Sequence, residues 1–124
     1  MNKLPLYDKH PETLKELKER VLESLRQGWT KAENARNVNQ QPVSTFSPDA
    51  TCCCLWGALC RAYGEGFSMP PLVALFCESF RKTFDTPIQR FVCGLVLYND
   101  THTKEEVIAK VESISVEDTD ASNI

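Results

Sequence analysis

No uninterrupted apolar run in this chain reaches the roughly 18 residues that a membrane-spanning helix needs, so no membrane partner is expected. The opening stretch, Met1 to Asp8, lacks the apolar core of an export signal, and the expected compartment is therefore cytoplasmic. Excess positive charge is missing too. Fourteen Lys and Arg stand against 17 Asp and Glu, a net charge of −3. Nucleic-acid binding needs a basic surface to displace phosphate counterions, so a nucleic-acid partner is not expected. No C-x-x-C pair occurs among six cysteines, which removes the commonest signature of structural zinc. Histidine is confined to His10 and His102. Repeats and low-complexity tracts are absent.

What is present is a chain of 124 residues, 42% hydrophobic and 25% charged, the size and composition of one globular domain. The expected fold is all-α: a single compact bundle of about five helices over residues 1–115, followed by an acidic tail over 116–124. The most informative segment is Cys52-Cys53-Cys54-Leu55-Trp56-Gly57-Ala58-Leu59-Cys60-Arg61-Ala62-Tyr63. A helix that is apolar on every face has to be surrounded. The spacing therefore predicts a buried central helix over residues 48–63, opened by Ser47-Pro48-Asp49 and ended by Gly64. Gly57 inside it implies the close approach of another backbone, since a mid-helix glycine costs about 1 kcal/mol relative to alanine.

Around that rod the pattern predicts further helices. Leu14, Leu17, Val21 and Leu25 form one stripe over residues 11–27, started near Asp8 or His10 with Pro11 in the first turn and stopped by a left-handed Gly28. Residues from Ser68 to Phe84 carry Leu72, Val73, Phe76 and Phe80 on one side. Residues 88–98 fit a strand by composition and a helix by spacing, and their length favours helix. Thr103 and Glu106 match a capping box ahead of Val107, Ile108, Val111 and Ile114. The polar stretch 30–46 is long for a structureless loop. It is expected either to pack through Val38, Val43 and Phe46 or to carry function.

The chemistry candidates each have a plainer reading. Three adjacent cysteines on a helix point about 100° apart, so they cannot surround one ion, and packing explains them better than a metal. In a reducing compartment they are expected as free buried thiols. A cysteine nucleophile at Cys54, with Asn99, Asp100 and His102 as supporting groups, would sit five or more residues inside the helix among apolar neighbours, a setting that raises a thiol pKa. Asn99-Asp100 reads first as a polar turn between two helices and second as a ligand contact.

Taken together, Gly28-Trp29, Cys54-Leu55-Trp56-Gly57-Ala58-Leu59-Cys60-Arg61-Ala62, Leu97-Tyr98-Asn99-Asp100 and Thr103-Lys104-Glu105-Glu106-Val107 resemble a family of small bacteriophage and actinobacterial proteins. Its members show Gly-Trp after a first helix, C-L-x-G-A-L-x-R-A, and W-N-D followed by T-x-x-E-V; here Tyr98 stands where Trp is usual. The resemblance implies a phage or mobile-element setting in a bacterial cytoplasm. It carries no activity, and no histidine belongs to its pattern at His102.

The resulting expectation is a non-enzymatic module that binds a host or phage protein, with no catalytic residue, metal or cofactor assigned and homodimerisation a further option. The candidate surface is Trp29, Asn37, Gln40 and Gln41 of the polar stretch with Tyr63 and Phe67 nearby. The alternative is a small-ligand binder of nucleotide type, using Tyr98, Asn99 and Asp100 with Arg61 or Arg90. A third class is a Cys-dependent hydrolase or a zinc protein.

Overall fold

A computed structural model describes residues 2–64, 69–87 and 94–116. Five helices lie among them: α1 (Leu14–Gln27), α2 (Leu55–Tyr63), α3 (Pro71–Arg81), α4 (Leu95–Thr101) and α5 (Lys104–Glu112). The fold is mostly helical but not all-α. Two short antiparallel strands, β1 (Ala35–Arg36) and β2 (Cys52–Cys53), pair Ala35 with Cys53 and Arg36 with Cys52.

α1 begins at Thr13, whose hydroxyl accepts from the Glu16 amide at 3.0 Å. Thr13 thus takes the capping role expected of Asp8 or His10, and Pro11 lies ahead of the helix. Leu14, Leu17, Val21 and Leu25 are all buried. Gly28 ends the helix in extended backbone, φ −166°, and not in the left-handed conformation expected. Its glycine has another cause: a Cβ there would lie 2.0 Å from the Thr51 carbonyl oxygen.

The largest correction concerns the central helix. It starts at Leu55 and not at Pro48. The Ser47 hydroxyl accepts from the Asp49 amide at 3.0 Å, so the cap-proline-acid pattern closes a local turn, which competes with helix for the same donors. Cys52 and Cys53 then run extended, and Cys54 is the N-cap, with its sulfur accepting from the Gly57 amide at 3.3 Å. From Leu55 onward the sequence reading matches: Leu55, Ala58, Leu59 and Ala62 are fully enclosed, and α2 packs against α1, α4 and β2. Gly64 terminates it at φ 105° with its amide on the Cys60 carbonyl.

Residues 29–54 form a strap that leaves α1 and returns to α2. Trp29 bridges Cys53 in parallel, and Arg36 bridges Pro42 across from β2, so β1 is flanked on both sides. The strap presses on α2 where the Asn34 carbonyl oxygen would be 2.1 Å from a Cβ on Gly57. Backbone on both sides of that contact leaves little room for relief. Gly57→Ala is expected to cost about 3 kcal/mol, the upper end of overpacking changes, read as a lower urea midpoint at constant slope.

α3 buries Val73, Phe76 and Phe80, and Phe80, Phe84 and Tyr98 meet edge to face with centroids 5.4 to 5.6 Å apart. Residues 88–93, half of the stretch that fits helix or strand by pattern, lie outside the described residues; Leu95 onward is helix. Asn99 and Asp100 fall inside α4 and not in a turn. Leu95, Tyr98 and Asn99 face inward, whereas Val96 is 51% exposed. α5 carries the expected capping box: the Glu106 amide donates to the Thr103 hydroxyl at 3.2 Å and the Thr103 amide to the Glu106 carboxylate at 2.9 Å. That carboxylate sits below its usual pKa because it accepts the Thr103 backbone N–H. Lys18 closes the other end by donating to the carbonyls of Glu112 and Ile114, both at 2.8 Å.

Among the described residues no helix is long and apolar enough to cross a membrane.

Candidate functional site

The strap organises two cavities among the described residues. Its tip, Asn37 to Gln41, is tied by its own groups. The Asn37 amide donates to the Gln41 carbonyl and the Gln40 amide to the Asn37 carbonyl, each at 2.9 Å. The Asn37 side-chain oxygen accepts from the amides of Asn39 and Gln41 at 2.9 and 3.0 Å. Arg36 donates to the Gln40 carbonyl at 2.9 Å. Gln40 takes a left-handed φ of 65°, an uncommon conformation for a residue with a side chain. Val38, expected to anchor the stretch to the core, is instead 56% exposed at this tip; Val43 does the anchoring. Beside the tip is a cavity of about 400 Å³ between Asn37, Val38 and Asn39 on one side and Lys3, Asp49 and Thr51 on the other.

At the opposite end of the short β1 pairing the strap divides. Ala32, Glu33 and Asn34 diverge from Val43, Ser44 and Thr45 and leave a second cavity of about 360 Å³, closed by Cys54, Val96 and Asp100. Asn99 lies next to Asp100 and holds that wall residue from behind. This side chain has no solvent exposure, and both of its polar atoms are used twice. Its oxygen accepts from the Trp29 indole N–H at 2.7 Å and the Leu55 amide at 2.9 Å. Its nitrogen donates to the Thr30 carbonyl at 3.0 Å and to Asp100 Oδ1 at 3.2 Å. Asp100 Oδ1 also accepts the Ala32 amide at 3.0 Å, which supports the left-handed φ of 68° at Ala32.

The sequence candidates therefore separate into groups. Trp29, Asn99 and Asp100 are joined by hydrogen bonds, with Asp100 alone of the three on the cavity wall; Asn37, Gln40 and Gln41 come together at the tip. Tyr98 is core, stacked on His102 and edge-on to two phenylalanines. Arg61 is 1% exposed and donates to four backbone carbonyls: Pro5 at 2.9 Å, Thr45 at 2.8 Å, Ser47 at 3.0 Å and Leu4 at 3.0 Å. Burial lowers its pKa, and its donors are committed to folding the chain. Tyr63 sits at the far end of α2 from Cys54, stacked on His10 with centroids 4.4 Å apart. Phe67 and Arg90 lie outside the described residues.

Cys54 is not inside its helix, as the spacing implied, but at its cap and on the cavity wall. Its thiol donates to Asn34 Oδ1 at 3.7 Å, and burial raises its pKa. Burial also pushes the Cys53 thiol up and takes Cys60 to about 11. These are the surroundings of packing thiols and not of thiolate nucleophiles. Among the described residues no three His, Cys, Asp or Glu side chains converge as a metal set. Sequence reasoning missed Glu33, Asn34, Ser44 and Thr45 as cavity walls. Gly57 was the available signal, because it announced a backbone pressed on α2, and that backbone is Asn34.

A mostly helical domain with a strap laced across its central helix is thus the class of protein described here. The sequence model of DUF6197, a family of unknown function, matches residues 9–113, and the chain belongs to that family. No curated protein and no solved structure matches it.

Proposed function

We propose that the chain is a non-enzymatic interaction module that binds a protein partner through the tip of its strap. One observation carries this reading: the tip holds its own backbone in place yet presents Val38, 56% exposed, at its apex. A loop ordered before binding loses little further entropy when a partner arrives. Its exposed apolar residue gains most from burial. Gln40 is exposed beside Val38, and the neighbouring cavity of about 400 Å³ adds relief to the surface. In the phage or mobile-element setting that the sequence resemblance implies, the partner is a host or defence protein, met in the bacterial cytoplasm and blocked by the contact.

A second reading, a small-ligand binder, draws support from the 360 Å³ cavity between the strap's arms. The acidic residues Glu33 and Asp100 in its wall, with no basic side chain there among the described residues, favour a cation over a nucleotide phosphate.

The test uses immobilised protein and bacterial lysate. A species retained by the wild-type chain is expected to be lost, by about tenfold or more, with Val38→Asp, while the melting temperature stays within about 2 °C. Gln40→Ala is expected to weaken retention less. Equal retention by Val38→Asp overturns the reading, and sedimentation of the free protein shows whether the retained species is a second copy.

A further inference from the structure

We infer that the cavity between the arms of the strap receives the cationic end of an arginine or lysine side chain of the protein partner. The inference rests on the interaction reading and names the chemistry of one contact in it. The sign of the occupant follows from what the wall leaves unused. Two acidic residues, Glu33 and Asp100, line the cavity, and among the described residues no Lys, Arg or His lines it. Asp100 is fixed: Oδ1 accepts from Ala32 and from the fully buried Asn99, while Oδ2 has no hydrogen-bond partner among the described residues. A carboxylate oriented in advance, with one oxygen to spare, is suited to a charge-assisted bond from a guanidinium or ammonium group.

The N-terminus of α2 also opens here, and a free helix N-terminus would attract an anion. Two of its donors are already taken: the Leu55 amide is bound by Asn99 and the Gly57 amide by Cys54. Val43 and Val96 supply apolar wall for the methylene stem of a long basic side chain. The tip and this cavity lie at the two ends of the same short strand pairing, with Arg36 opposite Pro42 and the Val43 amide on Ala35. One partner can therefore cover both.

The probe is N-acetyl-arginine amide, titrated into the isotope-labelled full chain and followed by backbone amide shifts, with N-acetyl-leucine amide as the neutral control. Saturable shifts are expected at Ala32, Asn34, Ser44 and Asp100, with a Kd in about the millimolar range for so small a ligand, weakened by added salt. Asp100→Asn retains an oxygen for Ala32 and Asn99 and is expected to bind about tenfold more weakly at an unchanged melting temperature. Equal binding of the leucine analogue, shifts elsewhere only, or unaltered binding by Asp100→Asn overturns the inference. So does a response to inorganic phosphate in place of the cation. Agmatine binding more than about tenfold tighter than the blocked arginine also overturns it, in favour of a free amine. The titration reads the cavity directly, so it stands even where Val38→Asp still retains the partner.

Discussion

Arg61→Met is expected to destabilise the protein by about 4 kcal/mol, near the top of what single substitutions do. Replacing a buried charge with an apolar chain of similar length is often neutral, because the charge no longer has to be stripped of water. Arg61 is a different case, since its partners are not a carboxylate that could be exchanged with it. They are the backbone carbonyls of Leu4, Pro5, Thr45 and Ser47, which remain after the substitution. Each carbonyl deprived of a donor in a buried place costs on the order of 1–3 kcal/mol. Partial rehydration at the edge reduces the total, which is why the expected loss sits at the low end of the simple sum. Arg61→Lys keeps the charge but offers one nitrogen where four bonds spread over three, and about half the loss is expected to remain. Urea denaturation measures the total. Hydrogen exchange measures where it acts: the Leu4 amide, bonded to the Ala50 carbonyl at 2.8 Å, should lose protection before the amides of α1 do. A wild-type midpoint for Arg61→Met would show that the guanidinium is replaceable and that the N-terminal segment is secured some other way.

The run from Leu55 to Ala62, apolar but for Arg61, announced a surrounded rod because burial on every face is a one-dimensional property, written in consecutive residues. The stripes of α1 and α5 were equally local, and the Thr103–Glu106 box contains both of its halves within four positions. What escaped was whatever depended on groups far apart in sequence. Cys52 and Cys53 have the composition of a helix interior. They run extended because Ala35 and Arg36 lie alongside and Ser47 has already used its hydroxyl on Asp49. Asn99 and Asp100 look like a turn by type, yet they sit within α4 because their side chains bind Trp29, Thr30, Ala32 and Leu55, 44 to 70 residues away. The site was visible in fragments on the same terms. Trp29, Asn99 and Asp100 could be singled out as polar or aromatic residues in apolar company, but the cavity that Asp100 lines belongs to the strap's path. Arg61 could be taken for a ligand contact because a charge in an apolar helix resembles one; the four carbonyls that claim it come from segments the helix does not contain.

Asn99→Asp is expected to be the more damaging of two nearly isosteric choices at that position, and its effect should depend on pH. The substitution preserves the oxygen that accepts from Trp29 and Leu55. It replaces the nitrogen that donates to the Thr30 carbonyl and to Asp100 Oδ1 with a second oxygen, 3.2 Å from that carboxylate. Near neutral pH two carboxylates then face each other in an enclosed place, with a loss of about 4 kcal/mol expected from a buried charge left without a donor. Burial and the negative neighbour both raise the pKa of the new carboxyl in the folded state. A group whose folded pKa is raised contributes most below its unfolded value, about 3.9 for an aspartic acid, and that contribution is lost as pH rises. The gap between wild type and Asn99→Asp should therefore narrow towards pH of about 4 and widen towards neutrality. Asn99→Leu removes all four bonds without adding a charge, and its deficit should stay nearly constant over the same range. Melting curves of the three proteins across that interval decide the matter: parallel lines for Asn99→Asp and Asn99→Leu would mean that Asn99 only fills space, and that the contact with Asp100 does not orient the carboxylate on the cavity wall.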